Sequence, residues 1–134
     1  MSRNDTNAAK SDIIANHRKG DYMQTNLEIE EKIYDFIVYI YPILRLYPKS
    51  EKFSLQKDTK NCIMDILRLL IRAGKSTTKK KLLYDADVEL KILRYYIRIA
   101  YDQKYISSHT YGVAAKKLTE IGKMLGGFIK AVQS

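Results

Sequence analysis

The sequence is short of the residues that build most catalytic or cross-linked sites: its 134 residues include one cysteine, two histidines, two prolines and no tryptophan. Cys62 has no partner in the chain, so an internal disulfide is excluded, and a lone thiol points to a reducing compartment, the cytoplasm. With only His17 and His109, no histidine metal cluster or relay can be assembled. Long apolar runs are missing too. Residues 1–25 hold nothing longer than Ile13-Ile14-Ala15, which argues against a signal peptide. Phe36 to Leu44 is about half the length of a bilayer span and contains Pro42. The expectation is a cytoplasmic protein with no cofactor, metal or membrane partner.

Acidic residues are scarce: 24 Lys and Arg face 15 Asp and Glu, for a net charge of +9. The excess is unevenly placed. Asn26 to Tyr47 carries Glu28, Glu30, Glu31 and Asp35 against Lys32 and Arg45, whereas Pro48 to Ser134 holds 18 bases and 8 acids. Residues 1–25 are polar and without sustained periodicity, and read as a mobile tail ahead of one domain, 26–134.

What remains is helical periodicity. Ile29, Ile33, Phe36, Ile37, Ile40, Leu44 and Tyr47 recur at steps of three and four, with a kink expected at Pro42 and a stop at Pro48. A second helix is expected from about Ser54 to Ala73, its apolar face formed by Leu55, Cys62, Ile63, Ile66, Leu67, Leu70 and Ala73, with Gly74 as its cap. Lys57, Arg68 and Arg72 lie on its polar side. A fourth, from about Thr110 to Val132, shows Ala114, Leu118, Ile121, Leu125, Phe128 and Val132 in 4-3 alternation. Beside that stripe run a small-residue seam, Ala115, Gly122 and Gly126, where another helix could approach closely, and a basic line, Lys116, Lys123 and Lys130.

The third helix, from about Thr78 to Asp102, resolves into three stripes. Leu82, Ala86, Leu90, Leu93, Ile97 and Ala100 form the expected core stripe. Tyr84, Val88, Ile92, Tyr95 and Ile99 form a second apolar stripe, displaced by two residues and so about 200° round the helix. Asp87, Lys91, Arg94 and Arg98 run between them. Four amphipathic helices on short connectors, with no strand alternation, predict an all-α, antiparallel up-down-up-down bundle. The second stripe of helix three is then surplus, and either self-association or neighbouring parts of the chain must cover it.

No catalytic constellation emerges. Asp85 and Glu89 are one turn apart, but no Glu-x-x-His pair exists to complete a carboxylate metal cage. Gly74-Lys75-Ser76 matches the end of a phosphate-binding loop, yet Leu69 stands where that loop needs glycine, and a helix precedes it instead of a strand. Cys62 has no adjacent base to activate it and reads as a small core residue. Arg94 and Arg98, with Lys91 behind them, present two guanidinium forks along one helical side, suited to phosphates or to a partner's carboxylates; an ordinary solvated basic surface accounts for the pattern as well.

Five ordered segments carry a resemblance: Tyr41-Pro42-Ile43, Ala73-Gly74-Lys75-Ser76, Leu83-Tyr84-Asp85-Ala86-Asp87, Leu93-Arg94-Tyr95-Tyr96-Ile97-Arg98, and Ile121-Gly122-Lys123-Met124-Leu125-Gly126-Gly127-Phe128-Ile129. From about Ile33 to Val132 the chain resembles the accessory variability determinant (Avd) proteins of diversity-generating retroelements. Pro48-Lys49-Ser50-Glu51-Lys52-Phe53 is similar to a wider group, the four-helix proteins encoded within intervening sequences of bacterial ribosomal RNA genes. The Leu83–Asp87 segment and the Arg94/Arg98 pair favour the retroelement branch.

The resemblance implies a non-enzymatic subunit that forms a basic homopentameric barrel. It implies binding to the element's reverse transcriptase and to template-repeat RNA and cDNA during mutagenic cDNA synthesis. Carried onto matching positions, Arg94 and Arg98 are the first candidates for those contacts, then Lys123, with Lys91 and Arg72 behind; Lys116 and Lys130 extend the basic line. Tyr84, Val88, Ile92, Tyr95 and Ile99 are the candidate oligomer interface. The alternative function is a structural or interaction protein of the intervening-sequence type with no polymerase partner.

Overall fold

A computed structural model describes residues 21–133 as four helices and one short 3-10 turn, all-α as expected. They are α1 (Asp21–Leu44), α2 (Leu55–Lys75), α3 (Lys80–Asp102) and α4 (Ser108–Gln133), with the 3-10 turn Lys49–Glu51 between α1 and α2. Helix α1 therefore starts inside the segment read as a tail, and residues 1–20 of that segment lie outside the described residues. Each helix packs on its neighbours in the order α1–α2–α3–α4–α1, so α1 and α3 stand on opposite sides of the bundle. Among the described residues no helix is long and apolar enough to cross a membrane.

The core follows the stripes. Ile29, Ile33, Phe36, Ile40 and Leu44 of α1 are fully buried, as are Ile63, Ile66 and Leu70 of α2. Ala114, Leu118, Ile121, Leu125 and Phe128 of α4 close the interior, while Val132 is only partly buried. Thr59 is a buried polar residue that the apolar pattern passed over; its hydroxyl donates to the Leu55 carbonyl at 2.7 Å and is thereby satisfied. Cys62 is buried as expected. Its Sγ donates to the Glu89 carbonyl at 3.2 Å, and burial, reinforced by the Glu89 carboxylate, pushes the thiol up to about 12.

In α3 the core takes Leu83, with Leu82 left half-buried at the margin, which corrects the expected stripe. Leu83, Ala86, Leu90, Leu93, Ile97 and Ala100 alternate strictly between steps of three and four, averaging the 3.5 residues that keep one seam facing a neighbour. A stripe begun at Leu82 would take two successive steps of four and drift off that seam.

The connectors are closed by specific chemistry. Helix α2 runs through Gly74 to Lys75 and is capped at Ser76, whose N–H donates to the Ala73 carbonyl; the Lys79 ammonium donates to the same carbonyl at 2.8 Å. Gly74 is thus an ordinary last-turn residue and not the cap, since no glycine of the described residues has positive φ. Helix α3 ends in a Schellman arrangement: Tyr105 N–H reaches the Ala100 carbonyl and Lys104 N–H the Tyr101 carbonyl. Lys104 occupies the left-handed position at φ 64°, where glycine is the usual choice. Ser107 Oγ accepts from Thr110 N–H at 3.1 Å and starts α4 two residues ahead of Thr110.

Pro42 lies in the last turn of α1, where its missing N–H removes a single bond before the chain tightens through Leu46 N–H to Ile43 and Tyr47 N–H to Leu44. The next residues are tied to the far connector by Glu51. Its carboxylate accepts from Ser54 Oγ, from Leu55 N–H and, at 2.8 Å, from the Tyr105 hydroxyl. Hydrogen bonds from Ser54 and Tyr105 hold that carboxyl below its usual range. The Tyr105 ring in turn packs on Tyr47 with centroids 5.5 Å apart.

Candidate functional site

The α3–α4 seam gathers most of the cations singled out in the sequence. Antiparallel packing sets Arg94 of α3 opposite Leu118 to Gly122 of α4. The Arg94 Nη2 donates to the Leu118 carbonyl at 3.1 Å and its Nη1 to Thr119 Oγ1 at 3.4 Å. Gly122 makes room for this. A Cβ there would stand 2.7 Å from Arg94 Nη2, closer than real contacts allow, so the guanidinium occupies space that is open because residue 122 has no side chain. The small-residue seam is therefore filled, at Gly122, by an arginine of the same chain; at Gly126 nothing stands within 4 Å.

Two grooves flank the Arg94 tether. One, of about 310 Å³, is lined by Lys91, Arg94, Tyr95, Ile97, Arg98, Tyr111, Ala115 and Leu118. The other, of about 440 Å³, runs past Asp87, Leu90, Lys91, Arg94, Thr119, Gly122 and Lys123. Arg94, Lys91, Arg98 and Lys123 are thus brought together. Arg98 Nε stands 4.0 Å from Asp102, an exposed pair of little strength. Lys91 and Lys123 have no ion-pair partner among the described residues.

Arg72 is elsewhere. It lines an α2–α3 groove with Arg68 and the acids Asp65, Asp85 and Glu89, on the other flank of α3. There Arg68 pairs with Asp65 at 2.8 Å, and Asp85 with Lys81 at 2.9 Å. Asp85 and Glu89, the pair considered as half of a metal site, are engaged by Lys81 and Cys62, and no group of three metal-ligating side chains occurs among the described residues. Lys116 and Lys130 are exposed on α4 and line neither α3–α4 groove. Other bases are spent on aromatic faces: Lys117 lies over Tyr39 at 5.3 Å and Lys60 over Tyr41 at 5.0 Å.

The second apolar stripe of α3 is uncovered within the single chain. Val88 and Tyr95 are more than half exposed, at 57% and 55%, and Tyr84 and Ile99 stand out beside them. Ile92 is half-buried, its inner side packed on the core. On the opposite side of the bundle α1 exposes Tyr34 and Val38, at 53% and 57%.

A family model described as bAvd-like matches residues 27–132, which takes in α2 and α3, most of α1 and α4, and both α3–α4 grooves. The chain belongs to the bAvd-like family. Its fold is shared more widely. A protein with unknown function from the S23 ribosomal protein family of Bacteroides thetaiotaomicron VPI-5482 superposes on this bAvd-like chain with a TM-score of 0.71 at 21% identity, over 79% of this chain and 98% of that one. No curated protein matches it. The bAvd-like match begins at residue 27, so the segment ahead of it is outside the family match.

Sequence reasoning missed one member of the site. Tyr111 lines the groove beside Arg94 and Arg98, and its ring stacks on Tyr101 with centroids 4.6 Å apart and planes 14° from parallel. Local sequence gives no sign of this, because the stack joins the end of α3 to the start of α4.

Proposed function

We propose that this bAvd-like chain is a non-enzymatic accessory subunit of a diversity-generating retroelement. It binds the element's reverse transcriptase and its template-repeat RNA and cDNA through the basic α3–α4 face. The observation that carries this reading is the convergence of Lys91, Arg94, Arg98 and Lys123 on one seam inside the family-matched segment. Arginine and lysine arranged along a groove recognise phosphate or carboxylate by charge-assisted hydrogen bonds. Self-association through Tyr84, Val88, Tyr95 and Ile99, into a pentameric barrel, repeats that face in every subunit and enlarges the positive field that draws in polyanions.

The test is Arg94→Glu/Arg98→Glu, followed by pull-down of the reverse transcriptase with and without RNA. The oligomer stays folded and keeps its sedimentation coefficient, while polymerase or RNA is no longer retained. Retention equal to wild type with both partners rejects the assignment. A second reading, a structural or interaction protein of the intervening-sequence type, is favoured by the likeness to the S23-family fold. Gene neighbourhood separates the two: a reverse transcriptase gene beside this one supports the first, a position inside a ribosomal RNA gene the second.

A further inference from the structure

The larger part of the Lys91–Leu118 groove wall is apolar or aromatic, although three of its lining residues are cations. Ile97 and Leu118 are the outer edge of the core, but a groove that only tracked a phosphate backbone would have no use for the aromatic ring of Tyr111. Tyr111 lines the groove and is stacked on Tyr101, which does not line it, so the groove's aromatic residue is held by a partner outside the groove. A planar group entering the groove meets a ring already held in place by a stacked partner. Such a ring loses little freedom on accepting another layer.

The cations are spaced to match. Lys91 and Arg98 are seven residues apart on α3, about 10 Å along the axis, and both are long side chains that reach the two phosphates on either side of one nucleotide in an extended strand. Arg94 lies between them, its guanidinium fixed by the Leu118 carbonyl. The volume, about 310 Å³, is at the lower end of small-ligand sites and fits one planar ring system and not a paired duplex. A lipid surface would also find the cations, but it presents no flat ring to the groove.

We propose that the α3–α4 groove binds one unpaired nucleotide of a single strand, its base extending the Tyr101–Tyr111 stack and its flanking phosphates held by Lys91 and Arg98. The inference rests on the nucleic-acid reading above and adds that the strand is single and that a base, not only its phosphates, is engaged. The same base-and-phosphate chemistry occurs in RNA and in single-stranded cDNA.

Fluorescence anisotropy of labelled 20-mers tests it, using oligo(U) RNA, oligo(dT) DNA and a blunt duplex of the same length at one salt concentration. Single strands bind at least about tenfold more tightly than the duplex, and Tyr111→Leu removes roughly tenfold of that affinity while duplex binding is unchanged. Tyr111→Phe, which keeps the ring, binds like wild type. Ala115→Leu, which fills the groove without altering any charge, also weakens single-strand binding, and it serves if Tyr111→Leu fails to fold. Preference for RNA assigns the groove to template, preference for DNA to cDNA, and equal binding to both; each supports the site. Single strands bound no better than duplex, or left unaffected by both Tyr111→Leu and Ala115→Leu, overturn the stacking site while the basic-face reading stands. No binding to any of the three overturns both.

Discussion

Gly122→Ala tests the link between the fold and the basic face, because the structure fixes its magnitude from two opposed contributions. Alanine in a helix interior is favoured over glycine by about 1 kcal/mol. The new Cβ, however, stands 2.7 Å from Arg94 Nη2 and 3.5 Å from Leu90 Cδ2, so the guanidinium, the far end of a flexible side chain, must shift at the expense of its bond to the Leu118 carbonyl. That bond is charge-assisted but borders solvent, and its loss costs about 1 kcal/mol. The two contributions cancel, and Gly122→Ala leaves the melting temperature within about 1 °C of wild type. In an Arg94→Ala background the clash is gone, and the same substitution stabilises by about 1 kcal/mol, or about 4 °C in a domain of this size. Gly126→Ala is the internal control: nothing lies within 4 Å of its Cβ, so it stabilises equally in both backgrounds. Thermal melts of the four members of the double-mutant cycle give a coupling near 1 kcal/mol between positions 94 and 122. A coupling near zero, with Gly122→Ala as stabilising as Gly126→Ala throughout, would refute the claim that Gly122 exists to seat Arg94.

Three further outcomes follow from the packing. Leu83→Ala opens the core and costs about 2–5 kcal/mol, whereas Leu82→Ala costs less than about 1 kcal/mol; urea unfolding with equal losses at the two would return Leu82 to the core. Lys104→Gly relieves the left-handed backbone at the α3–α4 connector and raises stability by about 1 kcal/mol, read as an increase of a few degrees in melting temperature; a decrease would mean that the lysine side chain contributes more than the strain costs. Cys62 is pushed up to about 12 against an ordinary 9.0, so the folded state favours the neutral thiol. Its contribution is complete below about pH 9 and is lost as pH rises towards 12, and Cys62→Ala flattens the alkaline fall in stability; parallel profiles for the two proteins would contradict the burial argument.

The helices were legible because apolar residues at steps of three and four can be buried together in only one way, and nearly every stripe residue named from sequence is in the core. What local pattern could not settle was choice between adjacent equals. Leu82 and Leu83 are chemically identical, and the seam with neighbouring helices selects Leu83. Gly74 and Ser76 both suit a helix end, and the side chain of Lys79 helps place the stop at Ser76.

At the candidate site the limit was register. Arg94, Arg98 and Lys91 could be placed on one side of α3 by counting, but their meeting with Gly122, Lys123 and Tyr111 depends on how far α4 slides along α3. Arg72 shows the converse. It is as basic as the others, yet α2 carries it to the far flank of α3, among acids. Of the surplus apolar stripe Tyr84, Val88, Tyr95 and Ile99 are exposed in the single chain, while Ile92 packs its inner side on the core.

In the proposed role the basic α3–α4 face holds the polymerase and its nucleic acid. The most direct measurement is co-purification of the proposed reverse transcriptase partner with wild type and with Arg94→Glu/Arg98→Glu, each with and without template RNA, alongside sedimentation of both proteins. The account predicts an unchanged oligomer and loss of polymerase or RNA from the variant. Full retention of both by a correctly assembled variant would contradict it.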